Sequence, residues 1–364
     1  MENRERLNGV DLARGLAVLF MIMVHVLEVY ANNSVKTSVF GEIILFLGGP
    51  PAAPVFMMLM GLSFAYSKKK DIRTNIIRGL KVFISGYILN LLRGVLPVFL
   101  IKFIDPNVLN GMTPEQTNLL NIFLVADILQ FAGIALIIIS ILRELKVNIF
   151  ILIGIAFTVS LVSAFLWGTY TSLPVLSHLL DLFVGDKPIS GFAENLISFP
   201  VFPWITFPLI GMVVGEIFSK SENISKSHRN AGIFGFVIMV IGLGIVFINP
   251  EYHMNDYYHS RQGFMIFMSG FVLLWLYFCH ILTSKIPANI IFGTIYIWSK
   301  FVTPIYFIQW ILMVWCIAIF DMSTSNFLKT ILIMVTMIIS THFINILYQF
   351  LTDKFVRNKT LKDC

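Results

Sequence analysis

Charged residues are scarce in this sequence, and their scarcity limits the class of protein that it can encode. Asp, Glu, Lys and Arg make up 13% of the 364 residues, whereas a soluble domain carries about a quarter. Hydrophobic residues make up 57%, and the mean hydropathy is +0.84. A soluble protein of this composition would have too little polar surface to cover itself. The composition therefore excludes a soluble globular protein and indicates a membrane protein.

Cysteines are scarce as well, and so are the sequence motifs of common metal-binding and catalytic sites. The three cysteines, Cys279, Cys316 and Cys364, lie in apolar segments or at the C-terminus, and they indicate neither a disulfide framework nor a metal site. The sequence contains no zinc-ligand spacing, no phosphate-binding glycine loop, no nucleophile elbow and no internal repeat. We therefore expect no metal. We expect no nucleic-acid partner either, since the net charge of +6 fits the basic loops of a membrane protein.

Long apolar stretches, by contrast, recur along the whole chain. Because a membrane-spanning helix needs about 20 mostly apolar residues, the sequence predicts an all-α polytopic transmembrane bundle of about ten spans. We expect these spans to form a single domain over residues 1–364. The predicted spans are 10–30, 43–66, 76–101, 119–142, 147–167, 200–218, 231–249, 262–282, 289–320 and 327–351. The ninth is interrupted near Pro304, and two elements there would add one span and place the C-terminus outside.

Basic residues predict how the spans are oriented, because Lys and Arg concentrate in cytoplasmic loops. Alternate loops and both termini are rich in them: Arg4, Arg6, Lys68, Lys69, Lys70, Arg73, Arg143, Lys146, Lys220, Lys226, Arg229, Lys354, Arg357, Lys359 and Lys362. The intervening loops hold few: Lys36, Lys102, Lys187 and Arg261. This alternation predicts that both termini lie in the cytoplasm, and we expect the protein to reside in the plasma membrane. Residues 173–184 are predicted to form a short amphipathic helix at the membrane interface.

The first span contains four ionisable residues, Asp11, Arg14, His25 and Glu28. Such groups are costly in the membrane and usually face a protein interior or a wet cavity. Their spacings, i to i+3 within each pair and nearly three turns between Arg14 and His25, put all four on one helical stripe about 16 Å long. We assign Asp11 and Arg14 to the cytoplasmic half, and His25 with Glu28 to general-base catalysis in the outer half. The alternative is a structural ion pair together with a histidine that hydrogen-bonds another helix.

Several short motifs occur along the chain in a defined order. Arg6 and Leu7 precede residues 11–17 (DLARGLA), and His25 follows. This opening resembles that of integral-membrane acyltransferases, in particular bacterial relatives of heparan-α-glucosaminide N-acetyltransferase, and next the broader acyltransferase-3 family. Residues 53–61 (APVFMMLMG) resemble the family's second span, and residues 127–133 (DILQFAG) resemble its VLQRxG segment. Residues 202–215 resemble its FPWxxFxxxGxxxG segment.

The resemblance implies a membrane-bound O- or N-acyltransferase. It implies acyl-CoA, most simply acetyl-CoA, as the cytoplasmic donor, and a carbohydrate or glycoconjugate acceptor at the extracytoplasmic face. His25 would be the catalytic residue and Arg14 part of the donor site. The sequence departs from the pattern in residues 305–310 (IYFIQW), where the broader family often has His in the place of Gln309. It also places the catalytic histidine within the first span, whereas the animal enzymes present it from a lumenal loop.

Further polar residues are candidates for the donor site, beside Asp11 and Arg14. Arg78 and Lys81 lie one turn apart near the cytoplasmic end of the third span and suit CoA phosphates. Snorkelling and the orientation bias of basic residues explain them equally well. Arg93 lies deeper in that span. Gln130 could line a tunnel or bond a neighbouring helix.

Candidates for the acceptor site lie toward the predicted outer face. They are Asp127, Trp204, Tyr258, His259, Arg261 and Gln262. Aromatic rings and Arg suit a sugar or an acidic acceptor, but an interfacial aromatic belt has the same composition. The other histidines are interpreted as structural within spans (His280 and His342) or as loop residues (His178, His228 and His253).

Two other functions compete with acyl transfer. A multi-pass transporter or lipid-linked flippase also places ionisable groups in the membrane. Transporters often contain inverted repeats with broken helices, and here only the break near Pro304 is present, without a matching partner. A membrane scaffold would have no use for the ionisable stripe. We therefore expect acyl-CoA, the acceptor and membrane lipids as partners, and leave a homodimer open.

Overall fold

The computed structural model of the protein describes residues 6–68, 71–104, 117–169, 171–185, 196–254 and 256–360. Within these residues the chain is helical and contains no β-strand beyond isolated bridges. In chain order the helices are α1 (Asn8–Tyr30), α2 (Asn33–Lys36), α3 (Val39–Gly48), α4 (Ala53–Tyr66), α5 (Ile72–Asn90), α6 (Leu96–Ile104), α7 (Leu119–Leu124), α8 (Ile128–Glu144), α9 (Ile149–Leu166), α10 (Pro174–Val184), α11 (Val201–Trp204), α12 (Thr206–Ser219), α13 (Ile224–Ile248), α14 (Pro250–Met254), α15 (Gln262–Lys285), α16 (Ile290–Lys300), α17 (Val302–Trp315), α18 (Ile317–Phe320) and α19 (Phe327–Thr360).

The lengths and compositions of these helices confirm a polytopic transmembrane α-helical protein. In the described part of the chain, 8 helices or continuous helix pairs are long and apolar enough to cross a membrane. A bent pair, α16 with α17, raises this number to 9 if it forms one span. The prediction of about ten spans agrees with this architecture. The amphipathic segment predicted at 173–184 is the helix α10.

The predicted ninth span is broken, as the sequence suggested. Its halves α16 and α17 are bent by 89° at Phe301, whose backbone is not helical (φ −113°, ψ 37°). Pro304 lies in the first turn of α17, where its missing N–H removes no intrahelical hydrogen bond. The proline therefore starts the second half of the span rather than kinking a continuous helix.

Two boundaries differ from those that hydropathy predicts. The stretch 119–142 is divided into α7 and α8, because Asp127 accepts a hydrogen bond from the backbone N–H of Ile128 and caps a new helix there. The helix α13 begins at Ile224 rather than at residue 231, because Asn223 caps the N–H of Lys226. The interpretation of His228 as a loop residue is therefore wrong, since it lies inside α13 and is 1% exposed. His178 and His253 also lie in helices, α10 and α14.

The described residues form two compact units. The first contains residues 6–10 and Ala53–Ile286, and the second contains Asp11–Ala52 and residues 287–360. Their organisation as one functional domain stays a prediction. In the first unit α4 packs closely on α12, and a Cβ atom built on Gly61 would collide with the carbonyl group of Pro208. Close contact through small residues is the usual means of packing helices in membranes.

The second unit joins α1 to the C-terminal helices. A Cβ atom built on Gly15 would collide with the backbone carbonyl oxygen of Ile295 in α16. At the other end of α1, the Tyr30 hydroxyl donates to the carbonyl oxygen of Met313 in α17, with an O···O distance of 2.5 Å. The backbone N–H of Ser325 donates to the carbonyl oxygen of Tyr30 at 2.9 Å. These contacts fix α1 along its length against helices that follow it by more than 250 residues.

Candidate functional site

Asp11 and Arg14 form a small polar cluster with a serine from α16. The Arg14 guanidinium nitrogen Nη1 lies 3.4 Å from Asp11 Oδ1 and 3.4 Å from the hydroxyl of Ser299. The Ser299 hydroxyl donates to Asp11 Oδ1 at 3.0 Å. Ser299 is 4% exposed, whereas the side chains of Arg14 and Asp11 are 20% and 19% exposed. The cluster satisfies the carboxylate and leaves part of the guanidinium accessible.

His25, further along the same helix, contacts two neighbouring residues of α17. Its Nδ1 atom lies 3.3 Å from Nε2 of Gln309. Its ring centroid lies 4.3 Å from that of Trp310, at an interplanar angle of 38°. His25 is half-buried and Gln309 is fully buried. The amide and the indole thus hold the imidazole from two sides and leave part of its ring accessible.

The orientation of the Gln309 amide decides which nitrogen of His25 carries a proton. When Nε2 of Gln309 donates to Nδ1 of His25, a neutral imidazole carries its proton on Nε2. When the amide is turned by half a rotation, its Oε1 accepts from Nδ1–H, and a neutral His25 then carries its basic lone pair on Nε2. In the first orientation Oε1 of Gln309 is buried and has no hydrogen-bond partner among the described residues, which costs about 1–3 kcal/mol.

Glu28 lies at the end of the predicted stripe, and its side chain is exposed. Its backbone carbonyl oxygen accepts a hydrogen bond of 2.7 Å from the Lys36 ammonium group. Its catalytic role stays a prediction. The other three stripe residues contact the bent pair: Asp11 and Arg14 contact α16, and His25 contacts α17.

Two of the predicted donor residues in the first unit, Arg78 and Lys81, lie exposed on α5. The other two, Arg93 and Gln130, contact Asp127 at the start of α8. Arg93 Nη1 lies 3.5 Å from Asp127 Oδ2, and its Nη2 atom donates to Asn90 Oδ1 at 3.1 Å.

The amide of Gln130 completes the cap of α8. Its Oε1 atom accepts from the N–H of Asp127 at 3.1 Å, and its Nε2 atom donates to the carbonyl oxygen of Val125 at 3.2 Å. Gln130 is 1% exposed. Asp127 and Gln130 therefore form a capping box at the start of their own helix, a structural role that the sequence analysis did not consider.

The structure brings most of the predicted acceptor residues into one cluster of the first unit. The indole nitrogen of Trp204 donates to the carbonyl oxygen of Tyr258 at 2.8 Å. His259 packs edge-on against Trp167 at 5.3 Å between ring centroids. The Arg261 guanidinium lies 4.0 Å from the ring centroid of Tyr252. Gln262 donates to a backbone carbonyl of α9.

An aspartate that the sequence analysis missed pairs with the histidine of this cluster. Nδ1 of His259 lies 2.6 Å from Asp256 Oδ2. Burial alone would raise the pKa of Asp256, but the hydrogen bond and charge of His259, with nearby backbone N–H groups, hold that pKa below its ordinary value. The pKa of His253 is lowered, mainly by burial and to a lesser extent by the charge of Arg261. The spacing of Asp256 and His259, i to i+3, was the available sequence signal.

Trp204 is fully buried, so its part in this cluster is to hold the Tyr258 backbone. In the described residues no group of three or more His, Cys, Asp or Glu could hold a metal ion.

The helices and the polar residues inside them define a polytopic membrane protein with an ionisable site in its first span. The profile of the family described as heparan-alpha-glucosaminide N-acetyltransferase, catalytic, matches residues 6–248. The match covers more than half of the 364 residues, and the chain belongs to this family. It is therefore a membrane acyltransferase by class. No protein of curated function matches the chain.

The matched region contains α1, with Asp11, Arg14 and His25, but it ends before α16 and α17. Sequence reasoning did not find Ser299 or Trp310 as partners of the stripe. It noted Gln309 only as a departure from a family pattern, because nothing in the local sequence links these positions to α1.

Proposed function

We propose that this protein transfers an acyl group, most simply acetyl, from cytoplasmic acyl-CoA to an amine or hydroxyl of a glucosamine-containing glycoconjugate at the extracytoplasmic face. Family membership supports transfer to an acceptor of this kind. The observation that carries the proposal is a half-buried histidine in a membrane span, held by Gln309 and Trp310. A half-buried imidazole in a fixed orientation suits a general base.

In the proposed reaction His25 acts as the general base through Nε2. The Gln309 amide then presents Oε1 to the Nδ1–H of His25. Nε2 takes the proton of the acceptor N–H or O–H as the acceptor atom forms a bond to the thioester carbon. The carbon–sulfur bond breaks, and the CoA thiolate leaves with the electron pair. The imidazolium returns its proton to that thiolate, so that the enzyme ends unchanged.

The donor is proposed to approach along the cluster of Asp11, Arg14 and Ser299. Arg14 is partly exposed and carries donors suited to a phosphate or carbonyl group. Arg78, Lys81 and Arg93 remain further candidates for the phosphates, although Arg93 already binds Asp127 and Asn90. Arg78 and Lys81 are exposed, so they suit an anionic group that stays mobile in solvent better than one held in a fixed position.

The acceptor is proposed to meet the cluster around His259. Aromatic rings and Arg261 lie together there, and such a surface suits a sugar with polar substituents. Tyr258 and Gln262 border it. In this arrangement Asp127 and Trp204 support the protein rather than the acceptor, because Trp204 bonds the backbone of Tyr258 and Asp127 bonds the start of α8 and Arg93.

A transfer assay with the purified full chain tests the proposal. Acetyl-CoA and a glucosamine-bearing acceptor are supplied in detergent, and acylated acceptor and free CoA are measured for the wild type and for His25→Ala. We expect the variant to lose about 100- to 10,000-fold in rate, as expected for a general base. His342→Ala is the matched control, because His342 is an intramembrane histidine that accepts from Trp298 and has no proposed catalytic role.

Full activity of His25→Ala would reject the assignment of His25. A wild-type protein that neither binds acetyl-CoA nor releases CoA would reject acyl transfer and favour the transporter, for which the broken pair α16 and α17 would then form part of a pathway. Equal losses in His25→Ala and His342→Ala would show a general sensitivity to change in this region.

A further inference from the structure

A basic cleft lies in the first unit, where the N-terminal end of α13 meets the C-terminal end of α15. Its volume is about 430 Å³. It is lined on α13 by Ser225, Lys226 and Arg229, and on α15 by Tyr277, Ser284 and Lys285. None of its lining residues is acidic. The cleft therefore combines cations and hydroxyl groups around one concave space.

The three cations of the cleft, Lys226, Arg229 and Lys285, pair with no carboxylate in the part of the chain that the structure describes. Glu216 of the preceding helix pairs with Lys220, at 2.6 Å, and not with a cation of the cleft. Like charges placed around one cleft repel each other, so a bound anion would stabilise the arrangement.

An apolar surface continues from the cleft along α13. Ile233, Val237 and Val240 follow Arg229 at helical spacing, and they are 58%, 49% and 49% exposed. The helix is one of the spans that are apolar enough to cross a membrane, so we expect this face to contact lipid chains. From Arg229 to Ile241 the face is about 18 Å long. That length accommodates a large part of a fatty acyl chain.

We propose that the cleft binds the phosphate headgroup of an anionic phospholipid, with an acyl chain of that lipid along the exposed face of α13. The three cations favour a net negative headgroup over a zwitterionic one. The Ser225 hydroxyl lies 3.0 Å from Nε2 of His280, and the Ser284 hydroxyl donates to the carbonyl oxygen of His280 at 2.8 Å. Both oxygens can still accept from headgroup hydroxyls. A soluble phosphate would use the cations but not the apolar face, and this continuity is the reason for assigning a lipid. The site is independent of acyl transfer.

General attraction of basic loops to an anionic membrane surface is the competing explanation, and the chain offers a matched control. The cleft variant is Lys226→Gln, Arg229→Gln and Lys285→Gln together. The control variant is Lys68→Gln, Lys146→Gln and Lys354→Gln together, three exposed lysines outside the cleft. Both variants remove the same charge. The predicted topology places all six residues on the cytoplasmic side.

Native mass spectrometry of the full chain in detergent would count bound phosphatidylglycerol and phosphatidylcholine. We expect the wild type and the control variant to retain phosphatidylglycerol preferentially, and the cleft variant to bind it at least about tenfold more weakly. No preference in the wild type, or equal loss in both variants, would overturn the proposal. So would displacement of phosphatidylglycerol from the wild type by CoA, which would assign the cleft to a soluble phosphate.

The single variants Arg229→Gln and Lys285→Gln keep the test decisive if the triple variant does not fold. Each removes one exposed cation, and each is expected to weaken phosphatidylglycerol binding about fivefold. Unchanged binding in both single variants would count against the site. Because the readout is lipid retention, its failure leaves the acyl-transfer proposal untouched, and a failed transfer assay leaves the lipid site untouched.

Discussion

Nδ1 of His25 lies 3.3 Å from Nε2 of Gln309, although 284 residues separate the two in sequence. The contact joins the first membrane helix to the second half of a bent helix pair. Gln309 is fully buried, and its other amide atom, Oε1, has no hydrogen-bond partner in the part of the chain that the structure describes. A buried amide can thus present either a donor or an acceptor to the imidazole, and the choice fixes which ring nitrogen is basic.

Replacing Gln309 should reduce acyl transfer without removing the histidine. Gln309→Leu removes the amide that contacts Nδ1 of His25, and we expect the rate to fall at least about tenfold, since a histidine held in the wrong tautomer is a poor base. Gln309→Glu keeps an acceptor for Nδ1–H and should retain activity, with the acidic limb of the kcat/KM profile moved to higher pH. The measurement is the pH dependence of acetyl transfer.

A purely structural role for Gln309 predicts a different pattern. The melting temperatures of both variants would then fall, and the shape of the pH profile would stay the same. Wild-type activity in Gln309→Leu would remove this residue from the mechanism.

Arg14 should distinguish a donor site from a structural ion pair. We expect Arg14→Gln to raise the KM for acetyl-CoA about tenfold, because a partly exposed guanidinium in contact with an anionic or carbonyl group contributes about 1.5–3 kcal/mol. Ser299→Ala removes the hydroxyl that bonds Asp11 and Arg14 but keeps the charge, so it should lower stability more than affinity. Steady-state kinetics and thermal melting of both variants measure the two effects. A change in melting temperature alone for Arg14→Gln would support the ion-pair explanation.

The stripe on α1 could be predicted from sequence because it depends only on helical spacing. The same holds for the amphipathic helix α10 and for the break near Pro304. The cap of α8 could also have been predicted, since Asp127 followed by Gln130 has the spacing of a capping box. The apolar stretch around it instead favoured one continuous span.

The partners of the stripe could not be predicted in this way. Ser299, Gln309 and Trp310 are brought to α1 by tertiary packing, and no periodicity in either segment encodes that contact. The close approach depends on Gly15 and on the 89° bend at Phe301. Sequence reasoning finds a bend from a proline, but not the direction in which the two halves then run.

The pairing of Asp256 with His259 predicts a loss of stability in acid. The pKa of Asp256 is lowered below its ordinary value of 3.8, so the unfolded chain binds this proton more readily than the folded chain. The contribution is complete above the unfolded pKa and is lost as the pH falls through the folded pKa, hence below about pH 4. The carboxylate side chain is 37% exposed, so solvent screening limits the effect to about 1 kcal/mol or less.

Melting temperatures measured between pH 3 and pH 7 test this prediction. Asp256→Asn should be less stable than the wild type near neutral pH, and the difference should shrink as the pH falls below about 4. Asp353→Asn, at an exposed aspartate of α19, is the control and should leave the profile unchanged. A constant difference between Asp256→Asn and the wild type at every pH would show that the carboxylate charge is not what stabilises this cluster.

Gly15 should be intolerant of even one methyl group. A Cβ atom there would collide with the backbone carbonyl oxygen and the side chain of Ile295, and backbone cannot move aside as a side-chain end can. We expect Gly15→Ala to cost about 1–3 kcal/mol, the usual range for overpacking. Because the displacement would also separate α16 from α1, Ser299 would lose its contacts with Asp11 and Arg14, and acyl transfer should fall together with stability.

Gly154 in α9 provides the matched comparison for Gly15. No atom lies within 4 Å of a Cβ atom built there, and an Ala in a helix interior is favoured over Gly by about 1 kcal/mol. Gly154→Ala should therefore leave the melting temperature unchanged or raise it, and leave transfer activity intact. If Gly15→Ala melted and reacted like Gly154→Ala, α1 and α16 would not be held in contact at this point. The cluster of Asp11, Arg14 and Ser299 would then lack the packing on which its geometry depends.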